Sequence, residues 1–243
     1  MTAAPGSDGG ATHGPGPRSG SGSGYGPGQG SAPGPARPSA PIRLGVLISG
    51  SGTNLQAIID ACESGDVNAA VSVVISDRVD AFGLERARKH GIAAVHIDRG
   101  RFASPREYNA ALRDALLAAG VDWVAMAGYM RLLGREVLDA YPDHVLNIHP
   151  ALLPSFAGAH GIQDAWDYGV KVTGVTVHLA NENFDEGPII AQEAVEIAED
   201  DTIESLEARI HEVEHRLYPR VVRWIAEGRL QIVGRKVLVL PEA

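Results

Sequence analysis

From residue 43 onward, short apolar runs alternate with stretches whose apolar residues recur at helical spacing. Residues 43–49 (Arg-Leu-Gly-Val-Leu-Ile-Ser) read as a buried strand. A small-residue turn, Gly50-Ser-Gly-Thr-Asn54, follows and leads into helical spacing over 55–60. Residues 70–76 read as a second strand, 82–90 as a helix stopped by Gly91, and 94–97 as a short strand. Ser104 followed by Pro105 predicts an N-cap and a first helical position, opening a helix to about residue 119 that Gly120 closes. Strands are expected at 123–127 and 145–149. Alternation of this kind predicts an α/β fold with a mainly parallel sheet flanked by helices. Beyond Pro150 the pattern changes. Residues 152–158 read as irregular, 163–168 as a short helix, and 172–179 with 189–195 as a hairpin, giving an antiparallel C-terminal portion. A long helix is expected over 202–227 with a break near Pro219, and a final strand or extended tail over 233–240.

Composition changes the domain count. Residues 1–40 hold 12 Gly, 7 Pro and 6 Ser and no Val, Ile, Leu, Phe or Trp. Such a segment cannot bury enough apolar surface to offset its ordering entropy, so a disordered tail is expected at 1–40 and a single domain over 41–243. The formal charge of −9 argues against generic binding to a phosphate backbone. One cysteine, Cys62, excludes an intrachain disulfide and a cysteine zinc site. No apolar run has the length of a membrane span, and the first residues lack the apolar core of a signal peptide. The expectation is a cytoplasmic protein, monomer or homodimer, acting on small molecules without nucleic acid or membrane.

Two segments carry candidate chemistry. The turn 49–54 sits between strand and helix, where backbone N–H groups and the helix dipole favour an anion. It is not a P-loop, because no Gly-Lys-Ser/Thr follows, and Leu55 stands where the third glycine of a dinucleotide fingerprint belongs. Ser76, with Asp77 just after, occupies the usual ribose-binding acid position. Phosphate binding by Gly52, Thr53 and Asn54, or a tight turn with Thr53 as helix cap, both fit the spacing. The second segment is Asn147-Ile-His-Pro150 at the end of a strand. Positions i and i+2 share a face, so Asn147 and His149 project together at the carboxyl end of the sheet. An amide beside an imidazole suits an oxyanion and a proton transfer, or else makes a hydrogen-bonded strand end. Thr176 and His178 share one strand face, and Asp185 lies in the loop before the next strand. His149, His160 and His178 with Asp185 are also a conceivable metal set, though their spacing matches no metal motif.

These segments together resemble the folate-dependent formyltransferases, from about residue 42 to 230. The resemblance is carried by Val46-Leu-Ile-Ser-Gly-Ser-Gly-Thr-Asn-Leu-Gln56, Ala81-Phe-Gly-Leu-Glu-Arg-Ala87, Ala127-Gly-Tyr-Met-Arg-Leu-Leu133 and Leu146-Asn-Ile-His-Pro-Ala-Leu-Leu-Pro154. Thr173-Gly-Val-Thr-Val-His-Leu179 and Asp185-Glu-Gly-Pro-Ile-Ile190 complete it, and the glycine loop narrows it to the glycinamide ribonucleotide branch. The resemblance implies a single Rossmann-like formyltransferase domain. It implies transfer of a formyl group from 10-formyltetrahydrofolate, as cosubstrate and without a metal, to the amine of 5′-phosphoribosylglycinamide in de novo purine biosynthesis. It further implies Asn147, His149 and Asp185 as the catalytic set, and Gly52, Thr53 and Asn54 as a phosphate cradle. Glu214 is implied near the substrate amine, and Met130, Arg131, Leu132 and Leu133 line the folate pocket. Arg106 is the expected basic contact to the folate, and Asn147 contributes there too. After Pro154 the family usually reads Lys-aromatic-Pro-Gly-x-His, whereas this chain has Ser155-Phe-Ala-Gly-Ala-His160, and Ile162 replaces a common second histidine.

Overall fold

The computed structural model describes residues 40–242, which belong to one compact unit, Pro35–Ala243. The tail expected over 1–40 lies outside the described residues except for Ala40. Five strands, β1 (Ile42–Ile48), β2 (Ala69–Ser76), β3 (Ala93–His96), β4 (Trp123–Met126) and β5 (Val145–His149), run parallel. They alternate with α1 (Thr53–Glu63), α2 (Phe82–Lys89), α3 (Pro105–Ala118) and the short α4 (Arg135–Leu138). After α5 (Gly161–Tyr168), β6 (Val172–Leu179) adds antiparallel to β5, and β7 (Ile189–Glu196) antiparallel to β6. The helix α6 (Ile203–Ala226) precedes β8 (Leu230–Val233) and β9 (Lys236–Val239). The sheet order is β3-β2-β1-β4-β5-β6-β7-β9-β8.

Alternate side chains of the strands feed two cores. On one face Leu44, Val46, Ile48, Leu146 and Ile148 pack against α1 and α6 through Leu55, Ile59, Leu217 and Val221. On the other, Leu47, Ile75, Val124 and Val145 pack against Leu112 and Leu116 of α3 and Val137 of α4. Local signals hold where they are strong. The Ser104 hydroxyl accepts from the Glu107 N–H with Pro105 in the first turn, and Gly91 takes φ 68° after α2.

Three features differ from the sequence reading. Helix α6 runs through Pro219 without a break. A proline inside a helix costs about 3 kcal/mol, and here Leu217, Tyr218, Val221 and Val222, all fully buried, hold the helix to the sheet on either side of it. The expected final strand is a hairpin, β8 paired antiparallel with β9 around a turn where Gly234 takes φ 58°. The four-residue α4 and a 3₁₀ turn at Arg99–Arg101 are too short to leave a periodic signal.

Candidate active site

The carboxyl ends of β1, β4 and β5 open onto a cleft of about 910 Å³. It is lined by the 49–54 loop, by Met130 and Arg131, by Ile148 and Pro150, by residues 159–163, and by Glu207, His211 and Glu214 of α6. This is the edge where open α/β sheets bind ligands.

The glycine loop is shaped by close packing. Gly52 sits at the N-cap of α1 in the left-handed region, φ 70°, and no side chain caps the helix. Thr53 is therefore the first helical residue and not the cap. A Cβ on Gly52 would lie 2.7 Å from the Cα of Gly83 in α2, and the Gly83 N–H donates to the Gly50 carbonyl at 3.1 Å. The close-packing glycine missing at Leu55 is thus supplied by a neighbouring helix. An eleven-residue helix with an uncapped N-terminus facing a cleft offers free N–H groups to an anion. The Asn54 side chain is turned elsewhere: its Nδ2 donates to Glu214 Oε2 at 3.0 Å, and its Oδ1 is buried without a partner. Glu214, buried on α6, shares that same oxygen with His211 Nδ1 at 2.9 Å. The Glu214 carboxylate, outweighing burial, raises the His211 pKa above its ordinary value. His211 lines the cleft and was not singled out from sequence; its i, i+3 spacing to Glu214 on one helix was the available signal.

Asn147, His149 and Asp185 come together from two segments. On β5 Asn147 pairs with His178 of β6, and His149 with Thr176, so all four share one face of the sheet. Asp185 arrives on the loop after β6 with φ 54°. Its Oδ1 accepts from Asn147 Nδ2 at 3.2 Å, and its Oδ2 accepts from the Gly158 N–H at 2.8 Å and lies 3.4 Å from His149 Nδ1. Burial pushes the Asp185 carboxyl up. The His178 ring 3.5 Å away, the Gly158 N–H and the neighbouring His149 outweigh this and hold it below the ordinary carboxylate value. His149 is only 4% exposed, and its Nε2 donates to the Phe156 carbonyl at 2.8 Å. Each of its ring nitrogens therefore faces an oxygen atom, Nε2 the Phe156 carbonyl and Nδ1 the Asp185 carboxylate. A Cβ on Gly161, in the cleft wall, would be 3.1 Å from His149 Nε2. The trio thus lies directly behind that wall.

The remaining residues divide. Met130 is exposed and Arg131 partly so, and both line the cleft; Leu132 is exposed, whereas Leu133 is buried in the α3–α4 core. Arg106 is not brought to the cleft. Its side chain is 87% exposed, approaches Glu136 at 3.5 Å and lines a separate pocket with Arg113 and Arg135. Thr176 is structural: its hydroxyl donates to the Ala151 carbonyl and accepts from the Leu153 N–H, fastening the loop after β5. His160 precedes α5 and lines the cleft, apart from the histidines around Asp185. Among the described residues no group of three His, Cys, Asp or Glu has a geometry that could hold a metal. Asp77 went unassigned from sequence, yet it sits in the cleft lining with both carboxylate oxygens engaged.

A helix N-terminus open to an anion beside an Asn–His–Asp cluster at the carboxyl edge of the sheet suits an enzyme that stabilises an oxyanion and moves a proton. The chain belongs to the formyl transferase family, whose model matches residues 42–222. Among curated relatives, a phosphoribosylglycinamide formyltransferase of Haemophilus influenzae is 44% identical over 78% of this chain and 90% of its own length. The Escherichia coli relative of the same name is 41% identical over 77% and 88%. A crystal structure of glycinamide ribonucleotide transformylase 1 from Symbiobacterium toebii superposes with a TM-score of 0.82 at 53% identity, covering 84% of this chain and 96% of that one.

Proposed function

We infer that the chain is an enzyme that transfers the formyl group of 10-formyltetrahydrofolate to the amine of 5′-phosphoribosylglycinamide, releasing tetrahydrofolate, a step of purine biosynthesis. The substrates are small molecules, and no helix among the described residues is long and apolar enough to cross a membrane. The acidic charge argues against a nucleic-acid partner, and a cytoplasmic monomer or homodimer completes the proposal.

The roles of individual residues are read from chemistry. The N-terminus of α1 with Gly52, Thr53 and the Asn54 backbone takes the ribonucleotide phosphate. Met130, Arg131 and Leu132 border the folate, with Leu133 anchoring the segment in the core. Glu214, buried and held by Asn54 and His211, faces the amine end of the ribonucleotide. An α-amino group has a pKa of roughly 8 and must be neutral to attack. Attack on the formyl carbon gives a tetrahedral oxyanion. Asn147 donates to that oxygen, and His149 Nε2–H exchanges the Phe156 carbonyl for it. Asp185 holds the opposite ring nitrogen and relays the proton lost by the attacking amine to the folate nitrogen, whose bond to the formyl carbon breaks as the oxyanion collapses, so that tetrahydrofolate leaves. A single oxyanion donor is typically worth about 2.7–4 kcal/mol of barrier. The observation that carries this reading is the convergence of Asn147 and His149 on the buried Asp185 carboxylate behind the cleft wall. The test is a spectrophotometric folate assay with glycinamide ribonucleotide as acceptor. Turnover that depends on both compounds is expected, and none with the ribonucleotide would sink the assignment.

A further inference from the structure

We propose that Asp77 is a positioning residue that couples the two substrate subsites, through a hydrogen-bonded bridge centred on its buried carboxylate and running from the phosphate loop to the folate-lining segment. It rests on the subsite reading given above. The sheet order β2-β1-β4 sets three strand ends side by side: Asp77 after β2, Ser49 after β1, and residues 127–131 after β4. The Asp77 side chain is 5% exposed. Its Oδ1 accepts from the Ser49 hydroxyl at 2.7 Å, and its Oδ2 accepts from Arg131 Nε at 2.6 Å. The Ser49 Oγ in turn accepts from the Met130 N–H at 3.0 Å, and the Ser49 N–H donates to the Gly128 carbonyl at 3.0 Å. One carboxylate thus fixes the first residue of the glycine loop and the two cleft-lining residues on the folate side.

Neither oxygen can be released cheaply. A buried carboxylate that loses a charged or hydroxyl donor keeps its desolvation cost without the compensating bond. The three segments are therefore held as one unit, so any displacement of the glycine loop by a bound phosphate is carried through Ser49 and Asp77 to Arg131 and Met130. Such coupling is reciprocal: whatever the ribonucleotide does to folate affinity, the folate does to ribonucleotide affinity. A carboxylate that merely stabilised the fold would affect both ligands and the melting temperature, but not the coupling factor between them.

The experiment is calorimetric titration of the full chain with glycinamide ribonucleotide and with tetrahydrofolate, each alone and in the presence of the other. In the wild type each ligand is expected to raise the affinity of the other by about fivefold or more. In Asp77→Asn the amide still accepts from Ser49 but turns an N–H toward Arg131. The coupling factor should fall to near one, with folate alone bound about tenfold more weakly. Ser49→Ala should behave likewise, and Ser49→Thr, which restores the hydroxyl, should recover coupling. If Asp77→Asn does not fold, Arg131→Gln carries the same test from the partly exposed end of the bridge. A wild-type coupling factor of one, or a coupling factor unchanged in Asp77→Asn, overturns the proposal. Met130→Ala separates it from the subsite reading. Unchanged folate affinity there removes the folate from this segment. Weakened folate affinity there, beside an Asp77→Asn with normal coupling, removes the bridge alone.

Discussion

Asp185 occupies a left-handed backbone position, where a non-glycine residue is uncommon, and its two oxygens hold Asn147, Gly158 and His149 at once. Asp185→Asn keeps size and shape but removes the charge opposite His149 and the proton acceptor. The chemical step should slow by about two to four orders of magnitude, the range of lost acid–base and electrostatic contributions. Binding of both ligands should change little, because the loss falls on the transition state. A carboxylate that only fastened the loop to Gly158 would instead lower the melting temperature and leave turnover in the folded fraction. Measuring melting temperature, ligand affinity and turnover on the same variant separates these outcomes, and near-normal turnover would shift the catalytic weight to His149. The same residue makes a pH prediction. Its folded pKa lies below the ordinary carboxylate value, so its stabilisation is complete above the unfolded value of about 3.9 and is lost as pH falls through the folded value. Melting curves from pH 5 downward should therefore fall less steeply in Asp185→Asn than in the wild type.

At the scale of elements, the β1–α1 loop separates packing from ligand contact through two glycines two residues apart. Gly52 is in the left-handed region and against Gly83, so Gly52→Ala carries the conformational cost of about 1–2 kcal/mol and displaces α2. A lower melting temperature is expected together with weaker ribonucleotide binding. A Cβ on Gly50 meets nothing within 4 Å, although Gly50 lines the cleft. Gly50→Ala should shift stability by less than about 0.5 kcal/mol while weakening ribonucleotide binding, because the added methyl occupies ligand space. Unchanged ribonucleotide affinity in a stable Gly50→Ala protein would take the anion off this loop. What was legible in the sequence follows the same division between local and tertiary causes. The Ser104–Pro105 helix start, the Gly91 stop and the i, i+2 pairing of Asn147 with His149 are properties of a few adjacent residues, and they hold. The uninterrupted helix at Pro219 depends on burial of Tyr218 and Val221 against a sheet that spacing does not reveal. Asp77 was invisible as a functional residue because its partners, Ser49 and Arg131, are 28 and 54 positions away and meet it only through the strand order. Arg106 illustrates the converse: a basic residue at a matching position, whose helix turns it toward Glu136 and not toward the cleft.

For the whole molecule, the described residues that line the cleft span 49–214, and described residues build both cores. Tyr218 of α6, fully buried, donates to the Met126 carbonyl at 3.0 Å at the end of β4, tying the helix that carries Glu214 to the strand that leads into Met130. The first forty positions contribute 25 residues of Gly, Pro and Ser and not one Val, Ile, Leu, Phe or Trp, so they have little apolar surface to add to either core. Their composition also makes any docked conformation entropically expensive. Deleting residues 1–40 should therefore leave the melting temperature within about 1–2 °C of the full chain, a shift that for a domain of this size corresponds to well under 1 kcal/mol. The specificity constants for the ribonucleotide and the folate should be unchanged within error. Stability and kinetics measured side by side on the full chain and on residues 41–243 check both halves of this. A loss of melting temperature would show that the segment packs on the body. A changed specificity constant at equal stability would show that it reaches the cleft, and the flexible-tail expectation would then have to give way to a segment that orders on substrate.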